Sequence, residues 1–147
     1  MMDLFAQLCA GLAHMHKQRV LHRDLKSANV FLCTDRTRAS RYAVKVGDFG
    51  VSRALGESSS FARTLVGTPF YLSPELCADK PYGAASDMWA AGIVLYELLT
   101  MGARPFEARN QGALVLKIVK GVFEPPQRRG RLDGMGPGTV RSGAECF

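Results

Sequence analysis

The octapeptide His22-Arg23-Asp24-Leu25-Lys26-Ser27-Ala28-Asn29 places a carboxylate, an ammonium group and a carboxamide within six residues, and a second carboxylate follows at Asp48. Phosphoryl transfer calls for such a set. A carboxylate orients the attacking hydroxyl and accepts its proton, and a cation offsets charge developing on the group in transit. Oxygen donors suit the hard Mg²⁺ ion that accompanies nucleotide phosphates. The plain alternative is a solvated cluster of Arg23, Asp24 and Lys26. Six specified positions in one window make that a poor account of the whole string. Asp48-Phe49-Gly50 alone is weaker evidence, because Asp-x-Gly often just turns the chain. Its place after the octapeptide and after an apolar β-type run gives it weight.

Elements must position these groups. Leu4, Phe5, Leu8, Leu12 and Met15 recur at helical spacing, so the chain opens on an amphipathic helix. Short β-type runs follow at residues 20–21, 30–32 and 44–46, the last two joined by a polar hairpin loop over 34–41. Residues 47–73 read as irregular, too long for an idle connection in a compact domain. Ser73-Pro74 supplies a helix cap and a first-turn proline. Ser86 is expected to cap a long helix that carries Trp89, Ile93, Leu95, Tyr96 and Leu99 and stops near Gly102. A last short helix spans 113–120 and ends at Gly121. From residue 127 onwards, repeated glycines and few apolar residues predict a disordered or aberrant tail.

A third motif, Gly67-Thr68-Pro69-Phe70-Tyr71-Leu72-Ser73-Pro74-Glu75, and a fourth, Asp87-Met88-Trp89, complete a series. Together they resemble the serine/threonine type of the eukaryotic protein kinase superfamily, over roughly residues 3–126. Ser27-Ala28-Asn29-Val30-Phe31-Leu32, Gly47 directly before Asp48, and the run 65–75 look most similar to the NIMA-related kinases. The resemblance implies a mainly α fold with a small antiparallel β element, the C-terminal lobe of a kinase domain. It also implies transfer of the ATP γ-phosphate to Ser or Thr of a protein substrate, with Mg²⁺ as the metal.

Residue by residue, it makes Asp24 the base and Lys26 the cation at the transferred group. Asn29 and Asp48 become Mg²⁺ ligands, and Phe31 the floor beneath the adenine ring. Phe49 packs on His22, and Thr68 hydrogen-bonds between Asp24 and Lys26. Thr64 is the activating phosphosite, with Arg23 as its phosphate contact. Asp87 accepts hydrogen bonds from the backbone of the octapeptide, a scaffold role.

Composition agrees with a globular chain: 147 residues, 47% hydrophobic and 22% charged. The net charge of +6 is not gathered into a basic stripe with aromatics, so nucleic acid is not expected as a partner. Apolar stretches are too short to span a bilayer, so no membrane partner is expected. The four cysteines are scattered without metal or redox spacing, so a reducing, cytoplasmic setting is expected.

Departures from the family pattern shape the expectation. No Gly-rich loop or Val-Ala-x-Lys strand is present, so the N-lobe is read as absent. The arginine that in the family pairs with Glu75 is missing as well. Residues 1–126 are thus read as a partial kinase domain, with little activity alone and room for a regulatory protein partner. Two other readings stay open on sequence alone: a non-catalytic kinase-like binding module, or a partial gene product.

Overall fold

Leucines and aromatics at helical spacing build α1 (Met2–Lys17), in which Leu8 and Leu12 are buried. Asp3 sits in its first turn and His14, His16 and Lys17 in its last, the charge order a helix dipole favours. The structure is a computed structural model that describes residues 1–38, 40–48, 53–54 and 69–126, with the backbone alone for 53–54. The expected tail from residue 127, and the placement of Phe49, Gly50, Thr64 and Thr68, lie outside the described residues.

After α1 come β1 (Val20–Leu21), a 3-10 turn at Ser27–Asn29, and the strands β2 (Val30–Thr34) and β3 (Tyr42–Val46). β2 and β3 form an antiparallel ribbon, with Val30 opposite Val46 and Thr34 opposite Tyr42. Both strands run two residues further towards the turn than the apolar runs suggested, because ladder hydrogen bonds continue where hydrophobicity stops. β4 (Arg53–Ala54) pairs antiparallel with β1, Val20 opposite Ala54 and Leu21 opposite Arg53. It corrects the irregular reading of that stretch. Two residues leave no alternation to detect.

α1 ties itself to the ribbon through one amide. The Gln7 side chain donates to the Tyr42 carbonyl at 3.1 Å and accepts from the Val44 N–H at 2.9 Å.

Among the described residues, three further helices form the base: α2 (Pro74–Cys77), α3 (Ala84–Thr100) and α4 (Gln111–Lys120). Proline opens α2 as expected, and Ser73 is its cap by position, yet the Ser73 side chain makes no capping bond. Ser86 is not the cap of α3 but its third residue; Gly83 is the cap. The Ser86 hydroxyl accepts from the Gly83 N–H at 3.4 Å, a reciprocal bond that position supplies in a capping box. α3 ends with Met101 in a left-handed conformation. α4 starts two residues earlier than expected, because the Asn110 side chain accepts from the Ala113 N–H at 2.9 Å.

α3 is apolar around most of its circumference because it is packed on two sides. Ala90, Ala91 and Val94 join Leu8 and Leu12 of α1 and Leu25 in one core. Ile93 joins Leu72, Leu76, Phe106, Leu114 and Ile118 in the other, with Trp89 packed against it. Trp89 stacks on Phe106 with ring centroids 5.7 Å apart. The described residues are mainly helical with two small antiparallel two-stranded sheets. Among the described residues no helix is long and apolar enough to cross a membrane.

Candidate active site

The octapeptide occupies the stretch from β1 through the 3-10 turn, and it is held from below by a single buried carboxylate. Asp87, in the first turn of α3, is fully buried. It accepts the N–H of His22 at 3.0 Å and of Arg23 at 3.1 Å. The Tyr82 hydroxyl and the His16 ring nitrogen, 2.7 Å away, donate to it as well. Four donors satisfy a charge that would otherwise be too costly to bury. Burial, then the charge of Asp87, pushes the Tyr82 phenol far above its usual range, so it remains a donor. The expected scaffold contact of Asp87 is thus present. His16 and Tyr82 were not foreseen, since a histidine on an amphipathic helix and a tyrosine beside Gly83 carry no local signal.

His22 fixes the octapeptide from a second direction. Its ring is buried, with Nδ1 accepting the Asp24 N–H at 3.3 Å and Nε2 lying 3.1 Å from the Gly47 carbonyl. A carbonyl can only accept and an N–H can only donate, so the ring carries its proton on Nε2. Arg23 adopts φ 68° and Asp48 φ 59°, left-handed angles that turn the backbone sharply on either side of this histidine bridge.

These constraints bring three of the expected residues together. Lys26 Nζ lies 2.8 Å from the Asp24 carboxylate. Asn29 Nδ2 donates to the Asp24 carbonyl at 2.8 Å and to its carboxylate at 3.3 Å. The hydrogen bond to Asp24, aided by the charges of Asp24 and Asp48, holds the Lys26 ammonium above its ordinary range. It remains a cation at any physiological pH. The Asp24 side chain is 38% exposed, within reach of an incoming hydroxyl.

Asp48 follows β3 at the same end of the ribbon as Asn29, whose carbonyl accepts the Gly47 N–H at 2.9 Å. Mg²⁺ fits these donors. The nitrogen of the Asn29 amide is committed to Asp24, which leaves its oxygen for a metal, and Asp48 adds a carboxylate. Among the described residues no group of three His, Cys, Asp or Glu side chains could hold a metal by itself. Two protein oxygens with phosphate oxygens completing the shell is the usual mode for this ion.

Phe31 is half exposed, and its ring lies over Gly47: a Cβ there would sit 2.7 Å from a ring carbon. Glycine lets the ring come this close; a larger residue would push it aside. Sequence reasoning singled out both residues without seeing that they touch.

Tyr71 adds a contact that was not anticipated. Its hydroxyl donates to Glu97 at 2.8–2.9 Å and lies 3.0 Å from the Ser27 hydroxyl, which therefore donates to it. This joins the octapeptide to the end of the Pro69–Tyr71 turn and to α3. The partners are 44 and 26 residues apart, so no local pattern could reveal them. Glu75 takes the Ser86 hydroxyl. Burial raises its pKa, but hydrogen bonds from Ser86 and its surroundings bring it below the usual carboxylate range. Cys9 and Cys77 are partly buried free thiols that burial pushes up, a setting for inert rather than reactive sulfur.

The family model described as a protein kinase domain matches residues 1–135. The chain belongs to the protein kinase family. Mouse serine/threonine-protein kinase Nek1 is 51% identical over 124 residues, covering 84% of this chain and 10% of that protein. Zebrafish serine/threonine-protein kinase Nek8 is 52% identical over 121 residues, 82% of this chain and 16% of that protein. Serine/threonine-protein kinase nekl-2 of Caenorhabditis elegans is 44% identical over 124 residues, 84% of this chain and 33% of the relative. The kinase chain thus spans between about a tenth and a third of these relatives, and the NIMA-related resemblance is supported by their names.

Proposed function

We propose that residues 1–126 form the C-lobe of a serine/threonine protein kinase and carry its phosphoryl-transfer groups. The observation that carries this reading is the Asp24 carboxylate, partly exposed and held between Lys26 and Asn29. Asp24 would orient the acceptor hydroxyl of a protein substrate and take its proton. Lys26 would stay charged beside it and offset negative charge on the transferred group. Asn29 and Asp48 would hold Mg²⁺, which when bound neutralises phosphate charge and orients the γ-phosphoryl group of ATP. Phe31 would lie under the adenine ring; its half-exposed ring beside Gly47 supports that place.

Two further roles rest on the resemblance. Thr68 would bridge Asp24 and Lys26. Phosphate on Thr64 would add about −1.5 to −2 charges and recruit the Arg23 guanidinium, ordering the segment in between.

The deciding experiment joins a related N-lobe to Met1 and measures radiolabelled phosphate transfer from ATP to a protein. The chimera should turn over, the isolated chain should not, and Asp24→Ala or Asp48→Ala should abolish Mg²⁺-dependent transfer. A chimera that keeps full turnover with Asp48→Ala overturns the site. In the same background Thr64→Ala should lower activity and Arg23→Ala should remove the gain from phosphorylation; full activity with Thr64→Ala overturns the regulatory role.

A further inference from the structure

The far end of the β2–β3 ribbon holds a feature that phosphoryl transfer does not use. A cavity of about 480 Å³ opens there, lined by Thr34, Arg36, Arg41 and Tyr42. Thr34 and Tyr42 are the last ladder pair before the turn, while Val30 and Val46 pair at the end next to Asn29 and Gly47. Four strand steps separate the two ends, roughly 13 Å at the rise of a β-strand. A ligand at the tip leaves the Asp24 end free.

The charge at the tip is unbalanced in a specific way. Residues 34–42 hold three arginines against one aspartate, a net +2. That aspartate is already engaged: Asp35 accepts the Thr37 N–H and hydroxyl, and pairs with Arg38 Nε at 3.0 Å. Neither Arg36 nor Arg41 has a side-chain acceptor among the described residues, and both are exposed. A second carboxylate, Asp3 of α1, reaches the tip, where the Ser40 hydroxyl and the Gln7 amide engage it. The cavity therefore presents two guanidinium groups with no side-chain acceptor of their own among the described residues, beside two carboxylates that are already engaged.

The backbone around them is closed before any ligand arrives. The Asp35 N–H donates to the Arg41 carbonyl at 2.9 Å and the Arg41 N–H to the Arg38 carbonyl at 3.0 Å. Arg41 takes a left-handed φ of 61°, and Gln7 fixes Tyr42 from α1. Such preorganisation lowers the entropy lost on binding.

We propose that this cavity binds a phosphomonoester carried on a protein segment, with Arg36 and Arg41 as its cationic arms and the Thr34 and Tyr42 hydroxyls as further donors. A phosphomonoester brings about −1.5 to −2 charges, which matches the free pair. Guanidinium forks bind its oxygens in bidentate fashion, which an ammonium group cannot do. A phosphodiester strand carries one charge per phosphate and needs a track of cations, whereas here the charge is gathered in one concavity. The concavity is open to solvent on one side, so a phosphoryl group on a side chain can enter it from there.

The test uses the whole 147-residue chain and fluorescence anisotropy with a labelled Gly/Ser peptide carrying one phosphothreonine. Its twins carry threonine or glutamate at that position, and inorganic phosphate and an oligothymidine serve as competitors. The phosphopeptide should bind at least about tenfold tighter than either twin, and R36Q or R41Q should each weaken it about tenfold. K120Q, which removes the same charge from the end of α4, should change binding less than about twofold. The proposal is overturned if the threonine or glutamate twin binds equally well or if the phosphopeptide does not bind. It is also overturned if K120Q acts like R41Q, or if phosphate or oligothymidine competes at the concentration the phosphopeptide needs.

Discussion

Asp24 and Asp87 are both aspartates bound to the same octapeptide, and their surroundings are opposite. Asp87 is fully buried and receives four donors, two of them backbone N–H groups. Asp24 keeps 38% of its side chain exposed and touches a lysine and an amide that could each turn to another partner. A carboxylate saturated by the fold holds shape, and one left partly unsaturated can meet a substrate. The octapeptide is rigid at its backbone and open at its side chains because these two tasks fall to different residues.

The contrast breaks most visibly at Asp87. Asp87→Ala leaves the His22 and Arg23 N–H groups and two side-chain donors buried without their acceptor, and should destabilise the chain by about 3–5 kcal/mol. Urea denaturation followed by circular dichroism reads this as a large drop in midpoint, or as loss of the cooperative transition. Asp24→Asn should do the reverse. Its exposed pairing contributes no more than about 1 kcal/mol to stability, yet in the N-lobe chimera it should lower turnover at least about a hundredfold. Equal effects of the two substitutions on stability would erase the distinction.

A smaller effect is expected where β2 faces the end of β3. Gly47→Ala drives a methyl group into the Phe31 ring and should cost about 1 kcal/mol, because the half-exposed ring can swing aside. Removing the ring as well, with Phe31→Ala, should recover most of that loss, so a double-mutant cycle should give a clear coupling. Additive single effects would show that the contact carries no energy.

The smallest effect is a pH limb. Glu75 is held below the usual carboxylate range, so its contribution to stability is complete above the unfolded value of about 4.5 and is lost as pH falls through the lower folded value. Urea midpoints measured from pH 3 to 7 should fall on the acid side, and Ser86→Ala should make that fall shallower, since it removes a hydrogen bond that favours the charged form. An unchanged acid limb in Ser86→Ala would assign the slope to other carboxylates.

What could be read from the sequence divides along the same line as the two aspartates. Groups close together in the chain were legible: Asp24, Lys26 and Asn29 meet through one turn, and the ribbon and the long helix followed from apolar spacing. Contacts that join distant segments were not. His16 reaches Asp87 across 71 residues, and Tyr71 reaches Glu97 across 26, through side chains whose types fit many other roles. β4 is too short to show a period, and Asn110 capped a helix whose apolar pattern begins only after it. Ser86 was misplaced by three positions because a glycine cap offers no side chain to recognise.

The Gln7 amide has a consequence for how this protein meets other chains. An antiparallel ribbon exposes a row of backbone donors and acceptors on each outer edge, and such a row is a template for a further strand. Gln7 fills the Tyr42 carbonyl and the Val44 N–H with one side chain, much as a neighbouring strand would. Along β3 the ribbon is therefore already terminated, by a helix rather than by another strand. Among the described residues of this ribbon, the edge left for pairing is that of β2, where the exposed Phe31 and Leu32 lie.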